Sequence, residues 1–367
     1  MNYSGRSDFD HRESPRAAVL LVNLGTPDAP DASSVRRYLA EFLADPRVVE
    51  LPRWLWWIIL HGVILRIRPR RSTRAYQQVW TEAGSPLLVL SERLATAVAT
   101  RLQGIAAGPV LVRSAMRYGR PALATVLREL QAQNVRRLLV LPMYPQYSGT
   151  TTGSVFDALA DELKRWRWIP EIAMVSDYYQ HPAYAELLAD SVRSHWGAGA
   201  RRHLLFSFHG LPERYLHAGD PYHCQCQGTA RRVAEQLGLG TQEWSIAFQS
   251  RVGREPWLQP YTDATLAAMP SRGICEVDVV CPGFAVDCLE TLEEIAIQNR
   301  AAFLAAGGTG FGYIPALNDS AGHAALLAQI VRERSTHWPE FSASAQQAET
   351  ASRPLLAARF EKLKGGR

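Results

Sequence analysis

No run of about 20 apolar residues, the length a helix needs to cross a bilayer, occurs in this 367-residue chain. The amino end, 1–16, is polar and mixed in charge, without the apolar centre of a secretory signal. Cysteine is scarce. Its five residues (Cys224, Cys226, Cys275, Cys281, Cys288) are odd in number and confined to the second half. That usage fits reduced thiols of the cytosol better than a disulfide framework. There is no G-x-x-x-x-G-K-[ST] loop, which disfavours nucleotide-phosphate chemistry, and no G-x-S-x-G elbow, which disfavours a serine hydrolase. Gly307-Gly-Thr-Gly-Phe-Gly312 precedes a strand signal instead of following one, and reads as a turn. The net charge of +5 comes without a long Lys/Arg block. It suits an anionic ligand or a membrane surface and leaves no nucleic-acid footprint.

What is present is the alternation of an α/β protein. The length exceeds what one hydrophobic core usually serves, so two domains are expected. Strand-like apolar runs fall at 17–24, 110–115, 137–141 and 172–176, then at 203–208, 244–249, 277–281 and 310–314. Amphipathic patterns over 121–133 and 151–166 lie among them. Such alternation implies βαβ units with parallel sheets. Four strands on either side of residue 175 predict two similar α/β domains, 17–175 and 176–335, facing a shared cleft. Residues 1–16 and 339–367 read as peripheral tails, with a short helix at 355–363.

Segment 51–67 is unusual. It carries Trp54, Trp56 and Trp57, and Arg66, Arg68, Arg70 and Arg71 lie at or just beyond its end. A buried core helix is one reading. An apolar lip on the cleft or a membrane surface is the other, favoured by tryptophan beside a basic cluster.

Two segments could carry chemistry. Leu204, Leu205, Phe206 and Phe208 make a buried strand with His209-Gly210 at its end. In open α/β sheets ligands bind beyond the carboxyl ends of strands, and a histidine there can exchange protons or ligate a metal. A strand-capping histidine is the plainer alternative. The second segment places Asp287, Glu290, Glu294 and Gln298 along one helical stripe after a strand ending at Cys281. A row of carboxylates in a cleft handles protons or cations, although Asp287 and Glu290 also have capping-box spacing. Tyr144, Tyr147, Tyr118 and Trp257 fall just past other strands. A large planar ligand with a metal ion would suit such walls. His223, Cys224 and Cys226 do not match zinc-ligand spacing.

Five ordered motifs resemble the ferrochelatase family, bacterial type. They are Leu21-Val-Asn-Leu-Gly-Thr-Pro27, Tyr144-Pro-Gln-Tyr-Ser-Gly-Thr-Thr-Thr-Gly-Ser154, Phe206-Ser-Phe-His-Gly-Leu-Pro212, Phe248-Gln-Ser-Arg-Val-Gly253 and Pro282-Gly-Phe-Ala-Val-Asp-Cys-Leu-Glu-Thr-Leu292. The resemblance spans about residues 17 to 335. It implies two flavodoxin-like (Rossmann-like) domains and insertion of Fe2+ into protoporphyrin IX, the last step of haem synthesis. It implies His209 and Glu290 as catalytic and metal-binding residues. Tyr144, Arg117, Tyr118, Trp257 and Phe284 would line the porphyrin cleft. Arg70, Arg71 and Ser85 would meet the propionates, and Glu294 and Asp287 would form a proton path. Cys288 stands where many relatives have a second histidine, and Gln298 where some continue the acidic row. No cysteine follows Cys288, so a carboxyl-terminal [2Fe–2S] cluster is not expected, nor any tightly bound cofactor, with Fe2+ entering as substrate. The expected state is a cytoplasmic monomer or weak dimer, with peripheral membrane contact through 51–67. A coproporphyrin or cobalt chelatase and a non-catalytic porphyrin carrier are the rival readings.

Overall fold

The computed structural model describes every residue except 1, 2, 7, 8, 11, 12, 200, 254, 366 and 367. Among the described residues eight strands form two four-stranded sheets. β1 (Arg16–Thr26), β2 (Val110–Gly119), β3 (Val135–Pro142) and β4 (Glu171–Met174) make the first, and β5 (His203–His209), β6 (Trp244–Gln249), β7 (Glu276–Val280) and β8 (Gly310–Ile314) the second. The orders are β2-β1-β3-β4 and β6-β5-β7-β8, with every pairing parallel. The second sheet repeats the topology of the first. β1 and β5 are buried almost end to end because helices cover both faces, which is why they read as unbroken apolar runs. β4, at an edge, is half open.

Each sheet reverses its strand order beside its first strand. The chain leaves β1 for β2 on one side and returns to β3 on the other, and β5 stands likewise between β6 and β7. In such sheets the ligand crevice forms at that switch, outside the carboxyl ends. His209 is the last residue of β5 and therefore sits at the switch of the second sheet.

The halves are not packed as separate bodies. Helix Ala321–Ser335, which follows β8, crosses back onto helix Pro86–Gln103 and β3 of the first sheet. One continuous core joins Val19, Leu21 and Leu139 to Phe206, Phe208, Ile330 and Trp338. The tail is also tied down. Arg137 donates through Nε and Nη2 to Glu340, both at 2.7 Å, and to Glu349 at 3.1 and 3.2 Å. Glu340 is fully buried, and the helix after it, Ala343–Gly365, is far longer than the 355–363 expected.

Residues 53–79 run helically, as Arg53–Ile59, a wider turn at Leu60–Ile64, and Leu65–Val79. Pro69 cannot donate to the carbonyl four residues back, and the widened turn lies just ahead of that gap. Among the described residues no helix is long and apolar enough to cross a membrane.

Candidate active site

His209 is held by one hydrogen bond. Its Nδ1 lies 2.7 Å from the carbonyl oxygen of Gly210. A carbonyl can only accept, so Nδ1 carries the hydrogen and the lone pair of the neutral ring is on Nε2. The ring is half-buried, 6.4 Å from that of Phe284. Glycine is required next door, because a β-carbon at Gly210 would meet the carbonyl oxygen of Gln249 at 2.8 Å and the indole of Trp257 at 3.2 Å. The first sheet has its own constraint at the same level. Gly25 has φ +117°, and a β-carbon there would lie 1.7 Å from the carbonyl oxygen of Tyr118.

Opposite His209, residues Glu290–Asn299 form a π-helix, with a wider turn than an α-helix. The expected stripe changes accordingly. Gln298 donates to Glu293 five residues back, at 2.6 and 2.8 Å, instead of continuing the Glu290–Glu294 row. Glu293 is buried and was not singled out by periodicity, since α-helical spacing puts it on another face. Glu290 and Glu294 stay half-buried, and Glu294 feels the charges of both His209 and Glu290. Burial raises its carboxyl above the ordinary range, outweighing the Ser250 donors and His209. The backbone N–H of Ser250 donates to Glu294 Oε1 at 2.7 Å, and the Ser250 hydroxyl donates to Oε2.

Asp287 does not join the row. It is 5% exposed, and accepts from Thr291 Oγ1 (2.9 Å), the Tyr313 hydroxyl, the Ala316 N–H (3.3 Å) and Asn318 Nδ2 (2.7 Å). With its lone pairs so occupied it anchors the entry to the π-helix. Cys288 is buried beside Glu290. Burial and that neighbouring carboxylate push its thiol well above the ordinary pKa, so it stands there neutral. His223, Cys224 and Cys226 do not converge: Cys224 is exposed and Cys226 fully buried. Among the described residues no three His, Cys, Asp or Glu side chains gather on one point.

The expected walls divide into a surface and its support. Tyr144, Phe284 and Trp257 are half-buried at the crevice. Tyr118 is 1% exposed, behind it, and its hydroxyl donates to Asp45 Oδ2 at 2.7 Å. Arg117 Nη2 and Ser154 Oγ reach the same oxygen at 2.6 Å each. Burial would raise the Asp45 carboxyl, but Ser154, Tyr118 and Arg117 hold it below its ordinary value. Arg117 thus spends Nη2 on Asp45 and Nε on Ser154. Ser85 is likewise buried, its hydroxyl accepting from Thr26 Oγ1 at 2.8 Å.

Arg70 and Arg71 both point outward to solvent. Arg68, two positions earlier on the same helix, turns inward among Tyr38, Tyr76 and Glu290, where burial lowers its pKa. Sequence reading placed Arg68 in the basic cluster without choosing it, because only the helix's rotation against the π-helix separates the three. Gln249 and Ser250 were also passed over within their motif. A polar residue closing an apolar strand, level with His209 in the next strand, was the available signal.

The 53–67 surface is apolar and open. Trp54, Trp57, Ile58 and Ile67 are 71%, 62%, 54% and 69% exposed. Trp56 differs, packing inward with its Nε1 donating to the Leu43 carbonyl at 2.6 Å.

Comparison with known proteins gives the family and the fold. The family model described as Ferrochelatase matches residues 16–335. A protein named Ferrochelatase from Nitrosococcus oceani is 54% identical over 97% of this chain and 99% of its own length. One of that name from Thioalkalivibrio sulfidiphilus is 54% identical over 96% and 97%. Ferrochelatase 2 of Shewanella oneidensis is 53% identical over 88% and 98%. Among solved structures, SirB from Bacillus subtilis with Fe3+ superposes with a TM-score of 0.53 at 10% identity, covering 89% of this chain and 98% of that one. That likeness is one of fold. With its motifs in order, its repeated sheets and relatives identical at half their positions along nearly the whole length, the chain belongs to the ferrochelatase family.

Proposed function

We infer that the chain inserts Fe2+ into protoporphyrin IX, with His209 and Glu290 carrying the exchange. Two pyrrole N–H protons leave as one Fe2+ enters, so the site must accept protons and present a partly dehydrated cation to a planar ring. The observation that carries the reading is the His209 ring at the sheet's switch point, fixed through Nδ1 to the Gly210 carbonyl and close enough for Glu294 to feel its charge. Neutral imidazole suits Fe2+ and can also take a proton near neutral pH. Glu290 supplies the negative charge that offsets the arriving metal. Glu294, with its raised carboxyl, can receive a proton more readily than an ordinary surface glutamate and pass it outward. Tyr144, Phe284 and Trp257 supply flat apolar contact to the macrocycle, and Arg68 supports a substrate carboxylate in the place first expected of Arg70 and Arg71. Ring distortion driven by such contacts raises the rate only where it resembles the transition state.

The exposed Trp54 and Trp57, near Arg53, Arg66, Arg70 and Arg71, support peripheral contact with a membrane surface, where an insoluble porphyrin would be collected or haem released. Iron is a substrate in this reading.

Steady-state insertion of Fe2+ and Zn2+ into protoporphyrin and coproporphyrin, without nucleotide, tests it. Turnover on protoporphyrin is expected, with His209→Ala losing more than about tenfold in kcat, or 1.4 kcal/mol, while porphyrin still binds. Stoichiometric binding without turnover would make the chain a carrier, and faster turnover on coproporphyrin would change the substrate.

A further inference from the structure

His209 and Glu290 come from different elements, and one side chain ties them together. Gln249 ends β6, level with His209 in the parallel register of β5 and β6. Its backbone carbonyl accepts the Gly210 N–H at 2.7 Å. Its carboxamide is 2% exposed and aims the other way, with Nε2 donating to the backbone carbonyl of Glu290 at 2.8 Å. That carbonyl can only accept, which fixes the amide's orientation. Oε1 is then turned to Ser207 Oγ, which donates at 2.8 Å, and to the Cys281 thiol at 3.7 Å. Ser207 is itself joined to Thr262 Oγ1 at 2.9 Å. The amide nitrogen also lies 3.5 Å from Glu294 Oε2. One buried carboxamide thus bridges β5, β6, the residue that follows β7 and the first residue of the π-helix.

We propose that Gln249 is a positioning residue for metal insertion: its carboxamide sets the separation between the His209 imidazole and the Glu290 carboxylate. The physical case is one of stiffness. A strand end and a helix start are where backbone is least restrained by its own ladder. At this point both are restrained by one residue, which holds the peptide groups of Gly210 and Glu290 rather than the His209 imidazole or the Glu290 carboxylate. Substrate can therefore meet His209 and Glu290 at a spacing fixed before it arrives, as preorganised sites require. The inference rests on the assignment of His209 and Glu290 to the exchange.

The test is Gln249→Met, which keeps length and apolar volume but removes the donor and acceptor. His209→Ala and Glu290→Gln are measured beside it with Zn2+ as the metal. The expected result is a fall in kcat/KM for metal of roughly 10- to 100-fold, the usual effect of losing a support behind a ligand. Porphyrin affinity, read by fluorescence titration of the apo protein, should stay unchanged. Gln249→Glu should be at least as damaging, since it sets a carboxylate against the Glu290 carbonyl and Glu294. Should Gln249→Met fail to fold, Ser207→Ala, which frees the amide to rotate, should show the same fall in kcat/KM for metal in milder form. Wild-type metal kinetics in a folded Gln249→Met variant, or in Ser207→Ala, would overturn the inference. Active His209→Ala and Glu290→Gln variants would instead overturn the underlying assignment, and the two failures are distinct in one panel.

Discussion

At Ser250 the backbone is held at φ +66°, a left-handed conformation costing a non-glycine residue about 1 kcal/mol. The hydrogen bonds to Glu294 lie at that residue and offset the strain, so Glu294 both holds a loop and faces the crevice. Its raised carboxyl has a consequence for stability. A group whose folded pKa lies above its unfolded one stabilises the fold below the unfolded value, and that contribution disappears as pH rises through the folded value. The wild type should therefore lose stability relative to Glu294→Gln as pH climbs from the ordinary glutamate value of 4.5 toward neutrality. Thermal melts of the two proteins across that window measure it. Parallel curves would mean that Glu294 titrates as an ordinary surface acid.

The π-helix at Glu290–Asn299 changes which side chains share a face. An α-helical reading aligns Glu290, Glu294 and Gln298, whereas the wider turn pairs Gln298 with Glu293 and leaves Glu290 and Glu294 facing the crevice. The 53–79 segment is another case where geometry sorts similar residues. Trp54 and Trp57 are open, while Trp56 is anchored to the Leu43 carbonyl. The double variant Trp54→Ser/Trp57→Ser should weaken binding to anionic vesicles and leave the melting temperature unchanged. Trp56→Ser should do the reverse, costing about 2 kcal/mol of stability through lost apolar burial. Vesicle sedimentation and urea titration read the two effects. Equal losses of stability in both variants would return the segment to the core.

Across the whole molecule, two repeated sheets are joined by contacts that neither half could make alone. Arg214 of the second half pairs with Glu50 at 3.1 Å and with Glu255 at 3.0 Å, linking the base of the apolar lip to the loop leading to Trp257. These groups are about half exposed, and such pairs contribute little to stability. The Arg137–Glu340 pair is different, since it is buried and fastens to β3 the turn that leads into the carboxyl-terminal helix. Breaking a buried pair leaves an uncompensated charge and costs about 3 kcal/mol or more. Glu340→Ala should accordingly lower the urea midpoint strongly while porphyrin affinity holds in the folded protein. A shift of under about 1 kcal/mol would make the tail as dispensable as its composition suggests.

Much of this was legible in the sequence by itself. Eight apolar runs marked the strands, two of them (244–249 and 310–314) at their observed ends, and β1 and β5 most plainly, because strands buried on both faces must be continuously apolar. That His209-Gly210 closes a strand was legible too, and here Gly210 admits the Gln249 carbonyl. The tertiary structure alone decided which of several like residues face the crevice. Arg68 over Arg70 and Arg71, Trp56 inward and Trp54 outward, Tyr118 behind Tyr144, and the bridging role of Gln249 all depend on how elements distant in sequence are rotated against one another. Periodicity encodes an element's apolar face through its near neighbours. The rotation that aims a single polar group is set by packing across the whole core, and no local pattern carries it.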